Sequence, residues 1–427
     1  MNAGCETRGV DAGRESLERA YREETTRIRA ALAARTGDVG LAEDAVQDAF
    51  IEAIEHWPRD GVPANPGGWL ATTARRKALD RLRREKVGVD KMALLAATEA
   101  WACPDTATAD DAAAKDGGGA DRRADEELLS LAFACCHPAL ATEAQVALTL
   151  RAVCGLTTGQ IAAAFLVSEP TMAQRLLRAR KTLSGLDAPV TIPDPDDLAD
   201  RLGQVLSVVY LVFNEGYLAS SGREPARRDL AAQAIALTRT LHRLMPREPE
   251  VLGLLALLLL HESRAKARFD GWGRLIRLKD QDRAKWDTRL AAEAAAHLDR
   301  AITLRRAGQY QVQAAIAALH AEASSYQDTD WRQIRLLYSR LYQLAPSPVV
   351  LLNRAVATRY AMGAEQALAE TEPLAADLDG YHLFHALRAA LLSAVGRDAE
   401  AEQVRERALA LAANPAEREL LTRGLSL

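Results

Sequence analysis

The most informative segment of the sequence is LTTGQIAAAFLVSEPTMAQRLLRARK, Leu156–Lys181, in which two helical patterns meet at a short break. The first pattern has its apolar face at Ile161 and Phe165. Ser168 can then accept a backbone N–H as an N-cap, and the acid and proline of Glu169-Pro170 suit a first helical turn. The spacing therefore predicts a helix-turn-helix whose second helix begins near Glu169.

The predicted second helix has an apolar face and a polar face. Residues that recur at helical spacing and would pack inward are Met172, Leu176, Ala179 and Leu183. The opposite face carries Thr171, Gln174, Arg175 and Arg178. Such donors suit base edges and phosphates, so the motif favours DNA recognition. The alternative is an ordinary helical hairpin with a solvated basic face.

An acidic helix is predicted upstream of this motif. Between Thr36 and Pro58 there is no Lys or Arg, and the acids that lie among apolar residues are Glu43, Asp44, Asp48, Glu52 and Glu55. This pattern is typical of an acidic amphipathic helix, which could serve as a docking surface.

The next helix, predicted from Trp69 to about Lys86, is basic. Its cations are Arg75, Arg76, Lys77, Arg81, Arg83, Arg84 and Lys86, and its predicted buried stripe is Leu70, Ala74, Ala78 and Leu82. A basic groove with an aromatic ring can hold single-stranded DNA, which favours such a role for Trp69. The alternative is that Trp69 belongs to the core. For Trp57, which follows Ile54 at helical spacing, the core is favoured.

The rest of the sequence divides into a linker and two helical parts. Residues 88–124 are rich in Ala, Asp and Gly and lack aliphatic periodicity, which predicts a flexible linker. Residues 125–186 supply the helices around the helix-turn-helix, and 187–427 show almost no strand-like alternation. The predicted fold class is therefore all-α. Paired helical patterns in the last part indicate a tetratricopeptide-like (TPR-like) stack with a concave surface for a partner.

No catalytic residue, cofactor or metal ligand is predicted. His261–Ala265 begins like a zinc-protease motif but lacks the second imidazole ligand. Cys135, Cys136 and Cys154 favour buried packing residues over a metal site. A polar set lies among the apolar helices: Asn214, Glu215, His261, Glu262, Arg264, Asp280, Asp282, Arg283 and Asp287. An internal ion-pair network or packing seam is favoured for this set, with a ligand pocket as the alternative.

Whole-chain composition fits a cytoplasmic regulator. Five cysteines without a paired framework suit a reducing compartment, and the longest apolar run, Val251–Leu260, is too short to span a bilayer. The net charge of only −4 by itself speaks against DNA binding, but the basic charge is concentrated in the two helices described above. This distribution suits DNA binding within a larger complex better than unassisted binding.

The order of these segments resembles regions 2 and 4 of the extracytoplasmic-function (ECF) sigma factors of bacterial RNA polymerase. The resemblance is carried by AEDAVQDAFIEAI, PGGWLATTARRKALDRLRRE and the helix-turn-helix. It implies region 2 at 14–87 and region 4 at 125–186. It also implies a sigma factor that binds the β′ clamp helices and β flap of core polymerase, recognises and melts promoter DNA, and performs no catalysis of its own.

The same resemblance implies which residues make these contacts. Core docking would fall on Asp44, Gln47, Asp48 and Phe50. Capture of the melted −10 strand would fall on Asn65, Trp69, Thr73, Arg76, Lys77 and Arg83, and reading of the −35 duplex on Thr171, Gln174, Arg175 and Arg178. Many members of the family have Asn at the position of Arg76, which implies a difference in base preference at −10.

The C-terminal part, 187–427, resembles the long TPR-like extension of one group of these sigma factors. Matching stretches include FNEGY at Phe213–Tyr217 and SPVVLLNRAVA at Ser347–Ala357. The resemblance implies a regulatory element in place of a membrane anti-sigma factor, with a small DGPF-type protein as a candidate partner. The alternative for the whole chain is a stand-alone helix-turn-helix regulator with a ligand- or partner-sensing helical domain.

Overall fold

The computed structural model describes residues 24–84, 117–165, 167–186, 190–217, 228–412 and 415–423. These residues form helices, turns and loops with one isolated β-bridge, Phe269 to Leu275, and no sheet. The predicted all-α class is confirmed. The chain divides into two compact units, Met1–Val208 and Val209–Leu427. This division lies within a helix, downstream of the boundary predicted at residue 187.

The N-terminal unit begins with helix α1, whose described part is 24–36. The helices that follow are α2 (Val39–Asp60), α3 (Pro66–Arg84), α4 (Gly117–Cys135), α5 (Thr142–Ala152), α6 (Thr158–Ala164) and α7 (Glu169–Gly185). Helix α8 (Pro195–Tyr217) begins in this unit and ends in the next.

Helices α2 and α3 pack on each other. The carboxylate of Asp38 caps α2 by accepting hydrogen bonds from the backbone N–H groups of Gly40 and Leu41. The helix ends at Gly61, whose φ of 86° favours glycine. The predicted buried stripe of α3 is confirmed: Leu70, Ala74, Ala78 and Leu82 are all buried.

Helices α6 and α7 form the predicted helix-turn-helix. The hydroxyl of Ser168 accepts a hydrogen bond from the N–H of Thr171, and α7 begins at Glu169, as the capping pattern predicts. The predicted inward residues Met172, Leu176 and Ala179 are buried. The fourth, Leu183, is only partly buried because it lies near the helix end.

The predicted flexible linker, 88–124, differs from the structure at its end. Its residues up to 116 lie outside the described residues, but 117–124 form the first turns of α4. The glycines at 117–119 are poor helix formers, so propensity alone places the helix start too late. The described helical part that carries region 4 therefore begins before residue 125.

The C-terminal unit contains the remaining helices in sequence. They are α9 (Arg228–Leu244), α10 (Pro249–Ser263), α11 (Thr288–Thr303), α12 (Gln309–Glu322), α13 (Trp331–Leu344), α14 (Pro348–Met362), α15 (Ala364–Thr371), α16 (Ala375–Leu378), α17 (His382–Ala394), α18 (Asp398–Leu411) and α19 (Pro415–Thr422). Short 3-10 turns, among them Ala265–Ala267 and Arg283–Lys285, lie between α10 and α11. Most of these helices pack on the helix that follows them in the chain.

Helix α10 is the centre of the C-terminal unit. Its residues from Val251 to Leu260 are all buried, and the helix packs on α9, α11 and α12. Gly253 permits the approach of α12, since a Cβ there would lie 2.6 Å from the backbone nitrogen of Gln311. The carboxylate of Glu250 accepts hydrogen bonds from the backbone N–H groups of Tyr310 (3.0 Å) and Gln311 (3.2 Å), which fixes the start of α12.

Candidate nucleic-acid interface

The acidic face of α2 is paired with the basic face of α3. The guanidinium of Arg81 bridges Asp44 (2.6 Å) and Asp48 (2.8 Å). Burial lowers the pKa of Arg81, but the hydrogen bonds to Asp48 and Asp44 outweigh burial and raise its pKa above the ordinary value. Two residues predicted to contact a partner are therefore held in place by a neighbouring helix.

Glu52 makes a second bridge between the same helices. It pairs with Lys77 (2.7 Å) and with Arg76, two of the cations predicted for the −10 strand. The hydrogen bond from Lys77 is the main reason that the pKa of Glu52 lies below its ordinary value. These partly exposed pairs contribute about 1 kcal/mol or less each, so a phosphate can replace the carboxylate at small cost.

The exposed side of α2 is apolar as well as acidic. Ile51 and Ile54 are 54% and 56% exposed, and Gln47 is exposed on the same helix. Phe50, in contrast, is only 6% exposed and belongs to the core. Phe50, one of the predicted docking residues, is therefore buried in this structure, and the exposed apolar residues of α2 are Ile51 and Ile54. The helical period of α2 agrees with this orientation, because Phe50 shares a face with the buried Val46 and Ala53.

The residues predicted to contact the −10 strand differ in their exposure to solvent. Arg76 and Arg83 are exposed, and Lys77 is half-buried. Trp69 is half-buried, and its ring meets the buried Trp57 edge-on with ring centroids 5.7 Å apart. The core assignment of Trp57 is confirmed.

Asn65 and Thr73 have roles in the fold of this region. The Asn65 side chain accepts a hydrogen bond from the N–H of Gly68 (2.8 Å) at the start of α3, while its amide nitrogen is buried without a partner in the described part of the chain. Thr73 is only 6% exposed. Its contact with the −10 strand stays a prediction, and this burial limits the surface that Thr73 could offer to DNA.

The helix-turn-helix presents its predicted reading face. Thr171, Gln174, Arg175 and Arg178 are all exposed on α7. Thr171 shares a hydrogen bond with the capping hydroxyl of Ser168 (2.8 Å), and Arg175 lies 3.5 Å from Glu143. An exposed pair at this distance is weak and leaves the guanidinium available to a base or phosphate.

The other side of α7 contacts α2 through a buried carboxylate. Glu43 is 1% exposed, and its carboxylate pairs with Arg151 of α5 and with Arg180 of α7 at 3.3 Å. Arg29 of α1 donates hydrogen bonds to the carbonyl oxygens of Arg151 and Ala152, each at 2.6 Å. The segments that correspond to regions 2 and 4 are thus joined by a charge network that the sequence pattern did not predict.

The three described cysteines occupy packing positions. Cys135, Cys136 and Cys154 are buried and form no disulfide with one another. Burial raises the pKa of Cys136 to about 12, although a hydrogen bond with Thr149 opposes this rise.

None of the helices in the described part of the chain has the length and apolar character needed to span a membrane.

Comparison with known proteins agrees with this geometry. Sigma-70 region 2 matches residues 20–87, and Sigma-70 region 4 matches residues 130–183. A family of unknown function, DUF6596, matches residues 201–302. An uncharacterized protein of Rhizobium meliloti (strain 1021) is 46% identical over 384 residues, which cover 89% of this chain and 88% of the relative. No solved structure matches the chain.

These matches cover both interface helices and the helix-turn-helix. Sigma-70 regions 2 and 4 belong to non-enzymatic, DNA-binding transcription initiation factors. They support promoter recognition and imply binding to core RNA polymerase and promoter DNA. The chain therefore belongs to one family with the Rhizobium protein, and its regions 2 and 4 make it a sigma factor of the sigma-70 type.

Proposed function

We propose that this chain is an alternative sigma factor of the ECF group. It recruits core polymerase in the cytoplasm through α2, captures the −10 strand through α3 and reads the −35 duplex through α7. Its C-terminal unit regulates this activity as a TPR-like extension, with a DGPF-type protein as a candidate partner. The observation that carries the proposal is the pair of exposed surfaces, one on α2 and one on α7, in a chain with both sigma regions.

The exposed face of α2 has the composition of a docking surface. Ile51 and Ile54 supply apolar area at its centre, and Asp48 supplies charge beside them. Interfaces commonly combine an apolar centre with a polar rim, and the rim charges guide the partner into register. The acidic rim requires a basic partner, which we propose is the clamp-helix region of the polymerase β′ subunit.

The two DNA-binding surfaces cannot remain as close as they are here during promoter recognition. Successive base pairs are about 3.4 Å apart along the DNA axis, so elements separated by many base pairs lie tens of ångströms from each other. We propose that the network around Glu43 opens when the chain engages polymerase and DNA. Opening exchanges the pairs with Arg151 and Arg180 for contacts with the complex.

Co-elution with sigma-free core polymerase tests the docking assignment. Ile51→Arg and Asp48→Arg should each lower affinity for core by tenfold or more, because the first buries a charge and the second reverses one. Glu365→Arg, at an exposed position on α15, is the matched control and should leave co-elution unchanged. Circular dichroism establishes that the variants are folded. Wild-type co-elution of both α2 variants would remove this surface from the interface.

The second candidate is a stand-alone helix-turn-helix regulator, which the exposed reading face of α7 favours. It predicts tight binding of promoter duplex without polymerase. A gel-shift titration with and without core separates the two functions, since the sigma proposal expects tight, specific binding only with core. Within that assay, Arg175→Ala should cost about 1–3 kcal/mol on the preferred −35 sequence if Arg175 contacts a base edge. An equal loss on every −35 sequence would restrict Arg175 to phosphate contact.

A further inference from the structure

The C-terminal unit contains a cavity of about 620 Å³. Helices α10, α12, α13 and α14 line it, together with the end of α8. Val349 and Asn353 are exposed on α14, so the cavity opens to solvent there. Cavities that bind small molecules are commonly about 300–1,000 Å³, which places this one in the range for a ligand larger than a single amino acid.

Arg264 brings a positive charge to the cavity wall. Its Nη2 donates hydrogen bonds to Nδ1 of His261 (2.8 Å) and to the hydroxyl of Tyr217 (3.2 Å). No carboxylate forms an ion pair with it among the described residues, and the two hydrogen bonds named above both come from Nη2. Its guanidinium also lies 5.8 Å from the centroid of the Trp286 ring, a contact that supplies no counter-charge. A cation in a partly buried position ordinarily acquires a counter-charge, so this one is incomplete within the described protein.

The nearby acids are engaged elsewhere. Glu262 pairs with Arg228 at 3.0 Å, and Asp280 pairs with Arg277 at 2.5 Å. Asp282 caps the 3-10 turn that contains Arg283, and Asp287 caps α11. In place of the single internal ion-pair network favoured from the sequence, these four acids make separate pairs and helix caps. None of them forms an ion pair with Arg264.

The other polar groups near Arg264 do not add a second free charge. Burial lowers the pKa of His320 to about 4, with Arg264 and Arg283 acting in the same direction, and burial also lowers the pKa of His261. Both imidazoles are therefore neutral at pH 7. Arg283 donates to the carbonyl oxygens of His320 (2.6 Å) and Ala323 (2.8 Å), and Arg268 donates to the carbonyl of Tyr217. Among the described residues that line the cavity, a ligand would therefore meet one cation, Arg264.

The remaining wall is mixed in character. Leu257, Ile316 and Val350 offer apolar surface, whereas Gln313 and Tyr338 offer hydrogen-bonding groups. A single cation suits a monoanionic carboxylate, since a phosphate dianion would retain an uncompensated charge in this setting. The apolar wall suits a hydrocarbon or aromatic body attached to that carboxylate.

We propose that this cavity binds a small amphipathic carboxylic acid, with its carboxylate on Arg264 and its apolar body against Leu257, Ile316 and Val350. The site belongs to the C-terminal unit and does not depend on the proposed sigma function. Its occupant is a candidate signal for the regulation that we assign to this unit.

Binding by the full-length protein tests the proposal. The probes are straight-chain monocarboxylates from butyrate to decanoate and 4-phenylbutyrate, each compared with its neutral amide, and inorganic phosphate. Isothermal titration should show binding of at least one acid that exceeds its amide by tenfold or more, because a charge-assisted pair is lost in the amide. Phosphate should bind no better than the amides. Preference for phosphate, or no acid better than its amide, would overturn the proposal.

Substitutions locate the binding in this cavity. Arg264→Gln should lower the affinity of the preferred acid by tenfold or more, while Arg340→Gln, an exposed arginine on α13, should leave it unchanged. Ala317→Leu narrows the cavity without removing a charge and should weaken the longer acids more than the shorter ones. This second variant keeps the test valid if Arg264→Gln folds poorly. Undiminished binding by both folded variants would place the acid elsewhere and contradict the assignment.

Discussion

Each unit of this sigma factor has a charged side chain packed among its helices, the buried Glu43 and the partly buried Arg264. Among the described residues, only Glu43 has a counter-charge. Glu43 in the N-terminal unit lies between Arg151 and Arg180. Arg264 in the C-terminal unit lies against the neutral groups of His261 and Tyr217. A paired buried charge joins the elements that supply its partners, whereas an unpaired charge at a cavity is suited to a ligand. The ion pairs of Glu43 therefore indicate a structural role, and the missing counter-charge of Arg264 indicates a candidate binding site.

Removing one partner of Glu43 should produce the largest loss of stability. Arg151→Met leaves the buried carboxylate with one ion-pair partner, Arg180, and the hydrogen bond from the Gln47 amide. Breaking a buried pair costs about 3–5 kcal/mol. Hydrogen exchange of the α2 amides, followed by mass spectrometry, measures the local free energy of opening. The double variant Glu43→Gln with Arg151→Met should recover much of the loss, since no uncompensated charge remains.

The control for this variant is an ion pair of the same type at the surface. Arg175 and Glu143 are 3.5 Å apart, with side chains 42% and 76% exposed. Arg175→Met should change the exchange of the neighbouring amides by less than about 0.5 kcal/mol. Equal losses in the two methionine variants would show that burial does not distinguish these pairs.

Lowering the pH should destabilise the C-terminal unit by less than Arg151→Met destabilises the N-terminal unit. Burial lowers the pKa of His320 to about 4 in the folded unit, whereas a histidine in the unfolded chain has a pKa of about 6.5. Between these two pH values the unfolded chain binds a proton at this imidazole and the folded unit does not. Stability from this group is therefore complete above pH 6.5 and is lost as the pH falls toward 4, by about 1 kcal/mol between pH 7 and 5.5. His320→Asn should reduce the pH dependence of thermal unfolding. Replacement of the exposed His56 by Asn is the control, and an unchanged slope in His320→Asn would contradict the assignment.

Arg264→Gln should have the smallest effect on stability, in contrast to its effect on ligand binding. The substitution removes a cation that has no counter-charge in the described protein, so the melting temperature should remain within a few degrees of wild type or rise. Thermal unfolding without ligand provides the measurement. A loss as large as that of Arg151→Met would make Arg264 part of a structural network.

The sequence predicted local structure more accurately than surface orientation. The cap at Ser168, the buried residues of α7 and the stripe on α3 follow from short-range patterns, and all are confirmed. Phe50 was assigned to docking by resemblance, although the helical period of α2 places it on one face with Val46, Ala53 and Trp57, which are all buried. What the period does not give is whether the outward-facing Ile51 and Ile54 bind a partner.

Charged pairs between residues far apart in the sequence could not be predicted from local patterns. Glu43 and Arg151 are far apart in the sequence, and neither belongs to a motif that requires the other. The polar set of the C-terminal unit was recognised as a group, but the sequence could not show that its acids would pair elsewhere and leave Arg264 at a cavity. Such assignments require the positions of several helices at once.

Run-off transcription tests the central claim most directly. The reaction contains sigma-free bacterial core polymerase, the full-length chain and a promoter from its own upstream region, with a template scrambled at −35 as control. The account predicts defined transcripts that depend on the chain and on the −35 element. Absence of transcripts, together with failure of the chain to co-elute with core polymerase, would contradict it.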